Sequence, residues 1–172
     1  MITFDDVDDS VYHNAFPILK EYNIPFVIFP ITGHVAEDDF KGLNLANWDQ
    51  INEMMSSGLA AIGSHSHNYH YLDKSNNPPF LRASKLEAFK QDAILSKKVL
   101  ELYYDLDYFS YCYPYGHGTD LTDQALIEVG YESIFILGDE VITKDYSKLH
   151  SSRILLTQYS WETVVEWVEE DY

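Results

Sequence analysis

Short apolar runs alternate with stretches of helical apolar spacing from one end of the chain to the other, and this alternation limits the fold more than any other feature. Strands separated by helices are joined by crossovers, so they lie parallel with the helices packed outside. Ile2 to Phe4 reads as the first strand. Val11, Tyr12, Ala15, Phe16, Ile18, Leu19 and Tyr22 then recur at helical spacing, with Ser10 as the cap and Pro17 as a kink. Phe26 to Ile31 is a continuous apolar run, the pattern of a strand covered on both faces, and Gly33 closes it. A second helix starts at the cap Asn47, turns Trp48, Ile51, Met54 and Met55 inward, and stops at Gly58. The same reading gives a strand over Leu59 to Ile62, a long helix from about Ser84 to Tyr104, and a strand over Tyr108 to Tyr113. A short helix from Leu121 to Val129 closes at Gly130, strands follow over Ser133 to Leu137 and Arg153 to Leu156, and Ser160 caps a last helix from Trp161 to Glu169. The expected fold class is α/β: a parallel sheet, open or closed into a (β/α) barrel, in one domain over residues 1–172.

The net charge of -17 argues against nucleic acid and anionic lipid as partners, because both require clustered Lys and Arg. No apolar run is long enough for a membrane span, and the N-terminus lacks the pattern of a secretory signal. The chain as written therefore reads as cytosolic, and as extracellular or cell-surface if it is a piece of a longer protein. Cys112 is the single cysteine, which excludes an internal disulfide and a cysteine-rich zinc site. Nothing in the sequence signals an oligomeric state.

Chemistry collects where strands end. Asp5 and Asp6 close the first strand; His65, His67 and His70 follow the third; Tyr115 and His117 lie in the PYGHG turn after the fourth. Adjacent residues of a strand point to opposite sides, so the two acids cannot easily clamp one ion and are suited to separate tasks. One carboxylate with two imidazoles is a sound ligand set for zinc or a similar divalent ion, and the second carboxylate can then handle a proton. His13, His34 and His150 stand alone and read as surface residues.

These motifs resemble the polysaccharide deacetylases of carbohydrate esterase family four. Thr3, Phe4, Asp5 and Asp6 match the family's TFDD motif, with Val7 where the family usually has Gly, and IGSHSHNYHYL matches its histidine motif. The five-residue separation of His65 and His70 is similar to the branch acting on poly-N-acetylglucosamine of biofilm matrices. The resemblance implies a distorted (β/α) barrel, complete or missing a strand. It also implies Asp5 as general base, and Asp6, His65 and His70 as ligands of zinc, with cobalt or nickel as alternatives. The substrate implied is an N-acetylglucosamine-containing polysaccharide, with His67 outside the ligand set and a swap of His67 for one of the ligands as the alternative. The backbone N–H of Tyr115 is implied as an oxyanion donor, and Tyr69, Tyr71 and Tyr115 as surfaces for sugar rings.

Two departures accompany the match. The third motif carries Cys112 where the wider family has the arginine that positions the base, so Asp5 is expected to be less constrained. The family's general-acid histidine has no counterpart after Arg153, and His117 and His150 are the remaining substitutes. A barrel lacking its first strand would also expose a sheet edge, which points to a truncated or divergent catalytic domain. Two competing readings follow: a carbohydrate-binding or regulatory domain that has lost turnover, and an amidohydrolase of a small substrate.

Overall fold

Six parallel strands form one curved ribbon in chain order. The structure, a computed structural model, describes residues 1–138 and 149–169. The strands are β1 (Ile2–Asp6), β2 (Phe26–Pro30), β3 (Ala60–Ile62), β4 (Ser110–Cys112), β5 (Ser133–Leu137) and β6 (His150–Arg153). β1, β2 and β3 pair side by side, as do β4, β5 and β6. Ser64 joins the two sets: its N–H donates to the Ser110 carbonyl at 2.9 Å, and its carbonyl accepts from the Cys112 N–H at 2.7 Å. The helices α1 (Phe16–Glu21), α2 (Trp48–Ser56), α3 (Leu86–Tyr103), α4 (Asp120–Val129) and α5 (Trp161–Glu169) fall between or after the strands, giving the barrel-type alternation.

Strand period decides what each face holds. Phe4, Phe26, Ile28, Ile62, Tyr111 and Ile134 point to the side where Leu19, Met54, Phe89 and Leu126 cover the sheet, and together they make the main core. Phe29, Cys112 and Phe135, with Val27, form a separate cluster on the opposite face. On that inner face Arg153 of β6 lies over the rings of Phe29 and Phe135 and donates to Thr3 Oγ1 of β1 at 3.0 Å. The ribbon therefore curls until its two edge strands meet through a side chain. Gly63 is required by this curl, since a Cβ there would sit 2.4 Å from Ser110 Oγ and 2.5 Å from the Phe29 ring.

Capping chemistry sets the helix ends. Asn47 and Gln50 form a reciprocal capping box on α2, Thr119 and Thr122 do the same on α4, and Gly130 ends α4 at φ 94°. Two expectations are corrected. The first helix is a π-helical turn over Val11–Ala15 followed by α1, and Ser10 makes no side-chain cap; its N–H donates to Asp8 Oδ1 instead. Pro17 lies inside a helical run that begins at Asp9, directly after the π turn and in the first turn of α1, and the widened turn before it is where its missing backbone N–H is accommodated. The last strand is also earlier than its apolar run suggests: β6 is the polar segment His150–Arg153, and Ile154, Leu155 and Leu156 are exposed beyond it.

Candidate active site

β1 delivers its two acids in different directions. Asp5 continues the inner-face alternation that includes Thr3, whereas Asp6 and Val7 adopt φ of 61° and 64°, an unusual pair of left-handed residues without glycine. Such a turn costs roughly 1–2 kcal/mol per residue, and buried Val7, whose N–H donates to the Asp5 carbonyl at 2.6 Å, helps to hold it. The bend aims Asp6 at the histidines that follow β3.

Asp6 Oδ1 lies 3.6 Å from His65 Nε2 and 3.1 Å from His70 Nε2. Ligands bound at about 2.1 Å in a tetrahedral set are about 3.4 Å apart, so this spacing fits one divalent ion. Asp6 Oδ1 is buried without a hydrogen-bond partner among the described residues, a state that a bound cation would relieve. The donor chemistry fits as well. His65 Nδ1–H donates to the Cys112 carbonyl at 2.9 Å, which leaves Nε2 as the lone-pair nitrogen facing Asp6. Burial holds the His65 pKa below its ordinary value, and burial with the nearby Lys41 charge lowers that of His70 to about 4, so both rings are neutral at pH 7. Burial, with the neighbouring Asp5 charge, raises the Asp6 pKa against the pull of His65 and Lys41.

The expectation of a loosely held Asp5 is overturned. Arg153 grips both of its oxygens, Nη1 to Oδ1 at 2.6 Å and Nη2 to Oδ2 at 2.9 Å, supplying from β6 the guanidinium that the third motif lacks. Burial works to raise the Asp5 pKa, but the Arg153 hydrogen bonds and the charges of His65 and Arg153 outweigh it, and the carboxyl sits below its usual value. Asp5, His65 and Cys112 also lie close enough to suggest a second metal group. Arg153 Nη2, 2.8 Å from Cys112 Sγ, already places a fixed positive charge there, and burial pushes the Cys112 thiol pKa up, so this group is not a cation site.

Lys41, from the irregular segment between β2 and α2, completes the mouth. Its ammonium donates to the His70 carbonyl and, at 3.0 Å, to the Tyr115 hydroxyl, while Tyr115 stacks on the His70 ring at 5.0 Å. Its distance to His70 Nδ1 is 3.4 Å. With an ion on Nε2 that nitrogen carries a proton, so the other two bonds are the ones that hold Lys41. Tyr115 itself has φ 63° in the turn after β4.

The remaining predicted residues divide cleanly. His67 turns away from the cluster, its Nδ1 3.1 Å from Thr32 Oγ1. His150 pairs with Asp123 of α4 at 2.9 Å, and His117 is exposed. Tyr69 and Tyr71 pack on one another at 5.7 Å. Sequence reasoning passed over Arg153 as a site residue, although the chain has only two arginines, Arg82 and Arg153, and the second stands where a strand ends. It also passed over Lys41, which no motif marks.

Residues 1–134 match the family model described as polysaccharide deacetylase. The chain belongs to the polysaccharide deacetylase family. Within that family it is 37% identical over 167 residues to the poly-beta-1,6-N-acetyl-D-glucosamine N-deacetylase of Staphylococcus epidermidis, a match covering 96% of this chain and 57% of that protein. The chain thus spans little more than half the length of the curated relatives it matches. Among solved structures it is similar to IcaB from Ammonifex degensii, with a TM-score of 0.92 and 36% identity over 98% of this chain and 72% of that one. The deacetylase domain of BpsB from Bordetella bronchiseptica gives a TM-score of 0.76 and 27% identity, covering 90% of this chain and 69% of the other. The polysaccharide deacetylase fold expected from the motifs is the one observed.

Proposed function

We propose that this chain, as one catalytic domain, hydrolyses the acetamide of N-acetylglucosamine units in a polysaccharide of the poly-β-1,6-linked type, releasing acetate and leaving a free amine. The observation that carries the reading is the pairing of two environments at the end of β1. Asp6 faces two neutral imidazoles, and Asp5 beside it is locked in a bidentate contact with Arg153. In this reading Asp6, His65 and His70 hold a divalent ion, zinc first and cobalt or nickel as alternatives. When bound, the ion supplies Lewis acidity, lowering the pKa of a water and polarising the acetyl carbonyl.

The chain's own residues do the rest. Arg153 fixes Asp5 in its ionised form and in one orientation, so that an Asp5 oxygen accepts the proton of the attacking water. As the C–N bond breaks, the proton that Asp5 has taken from the water can be returned to the departing nitrogen, so that acetate and a neutral amine leave. The Tyr115 N–H stabilises negative charge on the acetyl oxygen. Tyr69, Tyr71 and the Tyr115 ring offer faces to neighbouring sugars.

A matrix polymer lies outside the cell, and this reading places the working site at or beyond the cell surface rather than in the cytosol. The acidic surface suits a product that gains positive charge as acetyl groups leave. Acetate release from a soluble β-1,6-linked N-acetylglucosamine oligomer tests the proposal, using protein stripped with a chelator and then reloaded with zinc or cobalt. Release that disappears on stripping and returns with metal is expected. Equal release from stripped and reloaded protein would overturn it.

A further inference from the structure

The segment bearing His65 and His70 is held from behind by a buried carboxylate on α3. Asp92 is 5% exposed and accepts two backbone hydrogen bonds, from His67 N–H at 2.8 Å and Asn68 N–H at 2.6 Å, one on each oxygen. One turn further along the same helix, Ser96 bonds Thr32 at 3.0 Å and Ser64 at 2.6 Å, so α3 carries a polar seam beneath residues 64–68. Upstream of Asp92's bonds the segment is tied to neighbouring strands: His65 N–H donates to Pro30, and the Ser66 and His67 carbonyls accept from Thr32 and Gly33. Downstream, the next hydrogen-bonded backbone N–H among the described residues is that of Asp73, and the main chain between them is tied only through the His70 carbonyl, to the side-chain ammonium of Lys41. His70 therefore stands two residues beyond Asn68, the last backbone N–H anchored to the packed framework. Ser66, at φ 72°, adds a strained turn that would relax if the clamp were lost.

We propose that Asp92 is a positioning residue for the metal site, fixing the direction in which the chain leaves Asn68 and so where His70 Nε2 meets Asp6. The inference rests on the metal site proposed above. Asp92 touches neither the ion nor the substrate; it acts through two peptide N–H groups. A carboxylate suits this place because it presents two acceptors and no donor, whereas an amide would turn an N–H towards one of the peptide donors.

The test compares wild type with Asp92→Ala, Asp92→Asn and, as a stability control, Leu100→Ala, which removes core from the same helix without touching the segment. Two quantities are read at a temperature where all four are folded: cobalt affinity, from titration of the visible absorption of the bound ion, and amide hydrogen exchange of residues 66–72 in the metal-free protein. Asp92→Ala is expected to weaken cobalt binding about 10–100-fold and to speed exchange in 66–72. Asp92→Asn is expected to fall between, and Leu100→Ala to melt earlier with wild-type affinity. Wild-type affinity and exchange in Asp92→Ala, or an equal loss of affinity in Leu100→Ala, would overturn the proposal. Wild-type protein that takes up no cobalt would refute the metal reading instead, and the exchange comparison would still decide whether Asp92 anchors the segment.

Discussion

Replacing Arg153 by Met removes the guanidinium while leaving a side chain of similar reach over Phe29 and Phe135. Asp5 then keeps its burial and loses its partner. The Arg153 side chain is 10% exposed and that of Asp5 29%, so the pair is neither a surface ion pair nor a fully dry one. Breaking a buried pair from one side costs about 3–5 kcal/mol, and the partial hydration of Asp5 puts the expected loss near about 3 kcal/mol. For a domain of this size that lowers the melting midpoint by about 6–12 °C. The assay is thermal unfolding at pH 7 of wild type, Arg153→Met, Asp5→Asn and the double variant. Because Asn carries no charge to be stranded, Arg153→Met should cost no more than about 1 kcal/mol in that background, giving a coupling of about 2 kcal/mol. Activity supplies a second reading of the same contact. Arg153 holds the Asp5 pKa down against burial, so its removal should move the acid limb of the kcat/KM profile to higher pH. Equal costs in the two backgrounds, with an unmoved acid limb, would refute the assignment of Arg153 as the group that positions the base.

Other outcomes follow from the same electrostatics. His70 has a folded pKa of about 4 against an ordinary 6.5, so the unfolded chain binds its proton first as pH falls. Metal-free protein should lose up to about 3 kcal/mol between pH 6.5 and 4, partly offset by Asp6, whose raised pKa acts in the opposite sense; urea unfolding across that range measures it, and a flat profile contradicts it. Lys41 is one cause of the low His70 value, so in metal-free Lys41→Met the His70 ring should titrate at higher pH by NMR; an unchanged titration would show that Lys41 does not sit at the site.

Much of this was legible in the chain, for identifiable reasons. Alternation and caps place β1 to β5 and α2 to α4, because there the apolar period and the capping chemistry agree. The closeness of Asp6, His65 and His70 was legible because histidines and acids at strand ends are few, and the family resemblance singled out these three. β6 was displaced because pairing with β5 is made by polar residues on one side of Arg153, while the apolar run on the other side is exposed. Arg153 escaped notice because its partner Asp5 is 148 residues away, and only the curl of the sheet brings them together. Lys41 sits in an irregular segment where no period applies. Asp92 did leave a trace: three residues after Phe89 and four before Ser96, it shares their buried face, an unusual place for an unpaired acid in an amphipathic helix.

The division of labour between the two acids of β1 is the centre of this account, and one paired measurement addresses it: metal bound per chain and acetate released, in Asp5→Asn and in His70→Ala. Asp5→Asn should keep one metal per chain while release falls about 10²–10⁴-fold, and His70→Ala should lose both. An Asp5→Asn protein that sheds its metal, or that releases acetate at the wild-type rate, would contradict the assignment of proton transfer to Asp5 and ion binding to Asp6.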